Sequence, residues 1–327
     1  MNPTSKASFG LIMLLTPLMW GFFVSAQPND PPHKGHKDSS NGSHAVASTT
    51  IQPIIPTFLG NEQRNYYGQQ PPSSLNIKWK KYLGKGKTVI SRKIGEKEWE
   101  GAGWTGQPLL VKEEKELFLI QGAYDHHLKK IRASDGQTVW EYAFDDVIKG
   151  TGTLWHQPDY PESENSLVIL QGSRLGVGNY VDSDHIPSYR AVSYFTGEEL
   201  WRLDVKWTHS YSRDVDGSAL VLRDTAYLGL ENSLFTVFDP DYKKASLRDG
   251  MLQPKIYQEH RLYEMQDVKK HDYNVVTESS PALLNNHIYV ASGSGHVYGY
   301  DMKDDRLDWD FYIGSDMDGS AVVTSDS

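Results

Sequence analysis

The sequence predicts an all-β protein assembled from repeated small sheets, and three observations carry that prediction. First, residues 218–239 are echoed by residues 280–301. Ser218, Tyr227, Leu228, Phe235, Phe238 and Asp239 line up with Ser280, Tyr289, Val290, Val297, Tyr300 and Asp301. Second, from Phe58 onward the chain consists of short alternating runs broken by Gly, Ser, Asn and Asp. Third, no segment sustains a 3.6-residue apolar stripe, and residues 255–270 are the one stretch expected to form a short helix. A chain that repeats on this scale is an array of units, none of which buries its apolar face alone.

The N-terminus reads as export machinery rather than as part of the array. Lys6 opens a basic region, residues 9–24 are almost wholly apolar, and Val24-Ser25-Ala26 places small residues at a cleavage site before Gln27. Residues 1–26 are therefore expected to be a signal peptide, which implies a periplasmic or secreted protein. A retained anchor is the alternative; Pro17, Gly21 and the cleavage box argue against it. No later stretch has the run of apolar residues that a spanning helix needs, so no transmembrane span is expected after signal removal. Residues 27–56 are expected to be a disordered linker, since Pro, Asp, Asn, Ser, Gly, His and Lys cannot build a core. Its loosely spaced His33, His36 and His44 read as part of a solvated spacer. Asn41-Gly42-Ser43 is a glycosylation sequon, meaningful in a eukaryotic secretory host.

Composition removes several function classes. With 327 residues, 38% hydrophobic and 12% aromatic, the chain can hold two ordinary domains or one large array. Nine Trp and nineteen Tyr favour sheets, where flat rings pack on pleated surfaces. A formal charge of −9 without a basic stripe argues against nucleic acid. The absence of Cys excludes disulfides, Cys-based zinc sites, a thiol nucleophile and a lipoprotein anchor.

Taken in order, residues 117–120, 166–170, 218–222, 225–230 and 287–291 each read as a strand. The clusters Glu231-Asn232-Ser233 and Ser292-Gly293-Ser294-Gly295 supply the positive φ of tight hairpins. A further signature closes each unit. Ser134-Asp135-Gly136-Gln137-Thr138-Val139-Trp140 matches Phe195-Thr196-Gly197-Glu198-Glu199-Leu200-Trp201, with a weaker copy at residues 303–309 ending in Trp309. In each, a turn delivers an indole into the space between sheets. Trp79, within residues 75–83, looks like the same outer strand without its turn.

A strand, a Gly-rich turn, a strand ending in Asp and then (T/D)-G-x-x-x-W together resemble the PQQ-like (quinoprotein-type) β-propeller repeat. The resemblance covers about residues 75–327, and the family includes outer-membrane assembly scaffolds and quinoprotein alcohol dehydrogenases. It implies an all-β β-propeller over residues 57–327, built from four-stranded blades around a channel. Blades are expected at 103–148, 150–205, 216–275 and 278–314, with a fifth beginning at Asp318. The third carries an insertion at 241–271, expected to be a solvated excursion that caps or flanks the disc. Gly319-Ser320-Ala321-Val322-Val323 opens one more inner strand shortly before Ser327, so the propeller is expected to be an incomplete part of a larger one. Residues 75–83 are the candidate outer strand of its last blade.

The loops leading into the inner strands hold the candidate site. Asp214-Val215-Asp216-Gly217-Ser218-Ala219 is restated by Asp316-Met317-Asp318-Gly319-Ser320-Ala321, and Glu278 stands at the corresponding place between them. Asp214, Asp216, Glu278, Asp316 and Asp318 would form a partial acidic rim at the channel mouth, suited to Ca²⁺ or a cationic ligand. The same residue types also serve turns and backbone capping whatever the function. Thr105 and Thr151 hold the matching positions in the first two blades, with Trp104 and Trp155 nearby as stacking or core rings. Asp125-His126-His127 and Asp182-x-Asp184-His185 read as turn chemistry, and Gly176-Val177-Gly178 lacks the helix a phosphate loop requires. No catalytic signature occurs, so no catalytic residue is assigned.

Two functions follow. The first is an exported binding or scaffold protein for a protein or an extracellular ligand. The alternative is a quinoprotein-like oxidoreductase acting on an alcohol or sugar, which the resemblance would equip with PQQ and Ca²⁺. The lack of the adjacent cysteines common in that branch counts against the alternative. A calcium-dependent carbohydrate-binding module is a third possibility.

Overall fold

Alternation along each strand decides which side faces a neighbouring sheet, and here both sides usually do. A computed structural model describes residues 50–327, leaving aside 67, 69–71, 160–164 and 326–327. The expected signal peptide and most of the expected linker lie outside the described residues. That linker ends earlier than residue 56, because Ile51–Ile55 is already a strand, β1. A hairpin follows, β2 (Lys85–Ser91) and β3 (Gly95–Glu100), whose alternating Lys and Glu leave one face to solvent.

Four antiparallel sheets come next, each a blade. The first is β4 (Leu109–Glu113), β5 (Glu116–Gly122), β6 (His127–Arg132) and β7 (Thr138–Ala143). The second is β8 (Thr153–His156), β9 (Leu167–Gly172), β10 (Tyr189–Ser193) and β11 (Glu199–Leu203). In the third, β12 (Leu220–Leu222), β13 (Thr225–Gly229) and β14 (Leu234–Asp239) precede a small hairpin, β15 (Ser246–Arg248) with β16 (Met251–Gln253). The outer strand β17 (Lys255–Arg261) then completes the sheet. A short helix α1 (Met265–Lys270) leads to the fourth, β18 (Ala282–Leu284), β19 (His287–Ala291), β20 (His296–Asp301) and β21 (Arg306–Tyr312).

All four blades fall where the repeat places them, and the architecture is a β-propeller arc. The cores lie between blades. Leu109, Ile120 and Leu128 of the first meet Leu154, Ile169 and Tyr194 of the second. Trp201 and Tyr189 meet Leu228 and Phe238 of the third, and Phe235 meets Ile288 and Tyr300 of the fourth. Burying such side chains contributes about 1.5–3 kcal/mol each. Indoles pin successive blades, as the closing signature implied. Trp79 donates from Nε1 to the carbonyl of Ala133, Trp140 to that of Tyr194 and Trp201 to that of Pro240.

Three expectations need correction. Residues 255–270 are not one helix: 255–261 pair with β14 as the outer strand, and only Met265–Lys270 is helical. Sheet pairing there outweighs a weak local preference. The excursion within 241–271 is consequently shorter, and its β15–β16 hairpin sits between the third and fourth strands of its blade. Residues 75–83 form no strand, although Trp79 makes the inter-blade contact expected of one.

The inner edge of the arc is lined by the chain's own N-terminal segment. β1 pairs antiparallel with β4, Leu154 donates to the carbonyl of Pro56, and Leu283 donates to that of Glu62. Unpaired inner-strand groups, costly if left bare, thereby find partners. The fully buried Arg64 fastens the segment. It donates from Nε to Pro281 O (2.8 Å), from Nη1 to Thr57 Oγ1 (2.6 Å) and Phe58 O, and from Nη2 to Ser218 O and Ala219 O. Burial pushes its pKa down to about 9, against smaller opposing effects of Glu62 and Tyr189.

Candidate functional site

Backbone packing at the mouths of the inner strands assembles the site. A Cβ on Gly150 would fall 2.0 Å from the carbonyl oxygen of Asp216, so only glycine allows these two loops to touch. That approach brings Lys149 against the carboxylates of the next blade. Its Nζ lies 2.8 Å from Asp216 Oδ2, 3.2 Å from Asp214 Oδ2 and 3.4 Å from Glu231 Oε1. Arg174, from the turn after β9, donates through Nε to Asp214 Oδ2 at 2.7 Å. Ser212 Oγ donates to Glu231 Oε2 at 2.6 Å.

Four carboxylates, Asp214, Asp216, Glu231 and Glu278, thus face two cations. Their pKa values separate accordingly. Burial works against ionised Asp214, but Lys149 and Arg174 outweigh it and hold its pKa below the ordinary range. Burial raises Asp216, with Asp214 adding to the rise, and raises Glu231 well above the ordinary range. Glu278 is pushed up to about 7, first by burial and then by Asp216. Lys149 is held well above its usual value because its carboxylate neighbours outweigh burial.

Two of these groups are under-satisfied. Asp216 has a side chain only 1% exposed, yet neither oxygen makes a hydrogen bond; Lys149 approaches Oδ2 closely but off line. Glu278 has no hydrogen bond and no ion pair among the described residues. Asp216, Glu231 and Glu278 bring one oxygen each within 4.8 Å of one another, a hard donor set of the type Ca²⁺ takes.

Above this floor lies a cleft of about 680 Å³, roofed by the β2–β3 hairpin. Arg174 ties the roof down through Nη1 to Thr88 Oγ1 (2.8 Å) and to the carbonyl of Val89. Val89, Ile90, Trp99, Tyr180 and Tyr211 form apolar and aromatic walls. Arg92 stands at the rim over the Tyr180 ring and pairs with Asp182 at 2.7 Å.

The structure brings together some of the carboxylates of the acidic rim read from the sequence. Asp214, Asp216 and Glu278 converge. Asp318 is exposed and acts on Glu278 only through its charge, while Asp316 accepts a hydrogen bond from Asn274 Nδ2 at 2.7 Å. Trp104 is 74% exposed and does not line this cleft. Trp155 points into the core between blades two and three, its Nε1 donating to Arg223 O, so it is no channel-mouth ring. The turns around His126 and His185 hold no common centre. His126 bonds Lys87 O, and His185 bonds Asp204 Oδ2.

Sequence reading missed Lys149, Arg174, Glu231 and the roof. Glu231 carried a usable signal, because it stands where the echoing unit has Gly293, a departure from a repeat that otherwise agrees.

An anionic quinone does not fit this floor. Pyrroloquinoline quinone carries three carboxylates, whereas Lys149 and Arg174 are already engaged by Asp214 and Asp216, and the remaining groups are acids.

No protein-family model matches the sequence, and no curated protein matches it. Solved structures do. A quinohemoprotein alcohol dehydrogenase from Comamonas testosteroni aligns with a TM-score of 0.52 at 12% identity, over 85% of this chain and 44% of that one. BamB from Moraxella catarrhalis aligns with a TM-score of 0.45 at 12% identity, over 68% of this chain and 57% of that one. Sqt1 from Saccharomyces cerevisiae gives 0.44 at 12% identity, over 73% and 64%. The chain spans about half the length of the first two, and the likeness establishes the β-propeller fold alone.

Proposed function

We propose that this chain is the propeller part of an exported binding scaffold, and that the outer face of its fourth blade seats a further sheet of the same repeat. One observation carries the reading: Trp309 occupies the place of Trp140 and Trp201, yet its indole N–H has no acceptor among the described residues and its side chain is 47% exposed. Alternation divides the sheet. Ile288, Val290, Tyr298 and Tyr300 face the third blade, while Tyr289, Trp309 and Phe311 lie on the other face.

The occupant is a further β-sheet of the same repeat. Ser280 N donates to Ser320 Oγ at 2.8 Å just as Ser218 N donates to Ser280 Oγ at 2.9 Å, so Ser320 holds the position at which a fifth inner strand would start, although residues 319–324 form no strand here. Val323 N is already paired with Gln63 O. A second copy is a poor occupant, because the corresponding turn of its first blade, at Gly136, is already covered by Trp79. The occupant must therefore bring strands for residues 320–324 and a turn carbonyl for Trp309 Nε1.

A photo-crosslinking residue at Phe311, compared with one at Leu247, which is exposed on the third-blade hairpin, tests this in the native host. The reading expects a product specific to position 311 whose crosslinked peptide lies in a β-meander, and protection of Trp309 from acrylamide in that complex. Equal crosslinking at both positions would overturn it. Export is tested separately by N-terminal sequencing of the mature protein, which should begin at Gln27.

A further inference from the structure

A second site, independent of the fourth-blade face, is carried by the cleft under the β2–β3 hairpin. We propose that this cleft binds a primary ammonium group, clamped between Glu278 and Glu231, with the organic body of an amine lying along Trp99, Tyr180 and Tyr211.

Three observations converge on that class of ligand. The carboxylates already show the contact: Lys149 places an ammonium 2.8 Å from Asp216 and 3.4 Å from Glu231 at the back of the floor. On the cleft side Glu278 lacks any hydrogen-bond or ion-pair partner among the described residues, while Asp216 lies behind it, outside the cleft lining and paired with Lys149. A half-buried carboxylate without a donor, as Glu278 is, carries a desolvation cost that an incoming N–H group offsets. Finally, the cleft of about 680 Å³ is far larger than an ion needs, and its walls are aromatic. Ring faces attract an ammonium or stack along an apolar chain.

The cations that line the cleft do not redirect it to anions. Lys149 and Arg174 are spent on Asp214 and Asp216, and Arg92 on Asp182. Lys93 alone is uncommitted, at the solvent rim. An inorganic divalent ion on Asp216, Glu231 and Glu278 is the competing occupant, but it would leave the walls unused.

Titration calorimetry on the whole protein distinguishes these. The probes are methylamine, phenethylamine and putrescine, with 2-phenylethanol as the uncharged isostere of phenethylamine and calcium chloride as the metal. We expect saturable binding of phenethylamine with quenching of Trp99 fluorescence, and at least tenfold weaker binding of 2-phenylethanol. Glu278→Gln should weaken phenethylamine at least tenfold while its melting temperature stays level or rises, which separates lost recognition from lost folding. Trp99→Phe should retain binding but abolish the quenching. No saturable heat from any of the three amines in the millimolar range would overturn the proposal. So would equal affinity for amine and alcohol, or a calcium signal that Glu278→Gln removes while the amines give none.

Discussion

Trp140 donates its indole N–H to the carbonyl of Tyr194 at 3.0 Å while its ring covers Gly197, so tightly that a Cβ there would come within 2.8 Å of the ring. Gly197 sits at φ +74°, a left-handed turn that glycine adopts without strain. The pair explains why the closing signature joins a turn glycine to a later tryptophan. The glycine of one unit is the seat for the tryptophan of the unit before it.

Trp140→Phe should therefore cost about 1–2 kcal/mol, the hydrogen bond plus part of the buried area, and Trp140→Ala about 3–5 kcal/mol. Gly197→Ala should be as harmful as the milder of these, since it combines strained φ with overlap on the indole. Urea unfolding followed by circular dichroism checks the order of the three.

Arg64 makes a second test. Replacement by Met removes a donor from the carbonyls of Pro281, Ser218 and Ala219, of which Ala219 keeps Thr153 Oγ1 at 2.8 Å, and should cost about 3 kcal/mol or more. Arg64→Lys should recover little, because one ammonium cannot reach acceptors spread along both edges of the guanidinium plane. Hydrogen exchange should then show β1 amides losing protection before those of the blades.

Glu278 predicts a pH dependence of stability. Its native pKa of about 7 lies above the ordinary 4.5, chiefly through burial and then Asp216, with Asp318 and Asp214 adding and Lys149 opposing. The native state therefore holds its proton longer than the unfolded chain. The contribution is fully present below about pH 4.5, is lost as pH rises towards 7, and stays level above. Glu278→Gln should stabilise the protein at pH 8 by roughly 1–2 kcal/mol, after allowance for partial solvent access, and change little at pH 4. Thermal melts of both proteins across that range measure the difference.

Lys149→Met removes the central cation and leaves Asp216 and Glu231 buried against each other. It should cost about 3–5 kcal/mol near neutral pH, with part of the loss recovered in acid as those carboxyl groups take up protons. Denaturant midpoints at pH 5 and pH 8 test this; an equal loss at both would contradict it.

How much of this was legible depended on whether a residue obeys the repeat. The blades were, because strand alternation, turn glycines and the spaced Trp140 and Trp201 are local and recur. Asp214, Asp216 and Glu278 were legible as a group for the same reason, since equivalent loops converge in any radial array. Lys149 and Arg174 were not, because their roles come from contacts between blades that no local pattern encodes. The β2–β3 roof was missed since its alternating Lys and Glu hide the few apolar residues, Val89, Ile90 and Trp99, that it turns to the cleft, and β17 was misread since a helical and a paired reading of residues 255–261 differ only through β14. Trp155 shows the limit of position alone: its place near a loop said nothing of which way the ring turns.

The lining of the inner edge by residues 51–65 also sets the order of assembly during synthesis. That stretch is made before every blade, yet Pro281, which Arg64 holds, and Val323, which Gln63 holds, come about 220 and 260 residues later. Nascent blades must gather before their common spine can settle, and until then an apolar, bond-hungry ribbon waits beside them. Fastening of that spine through Arg64 is thus tied to synthesis of the fourth blade.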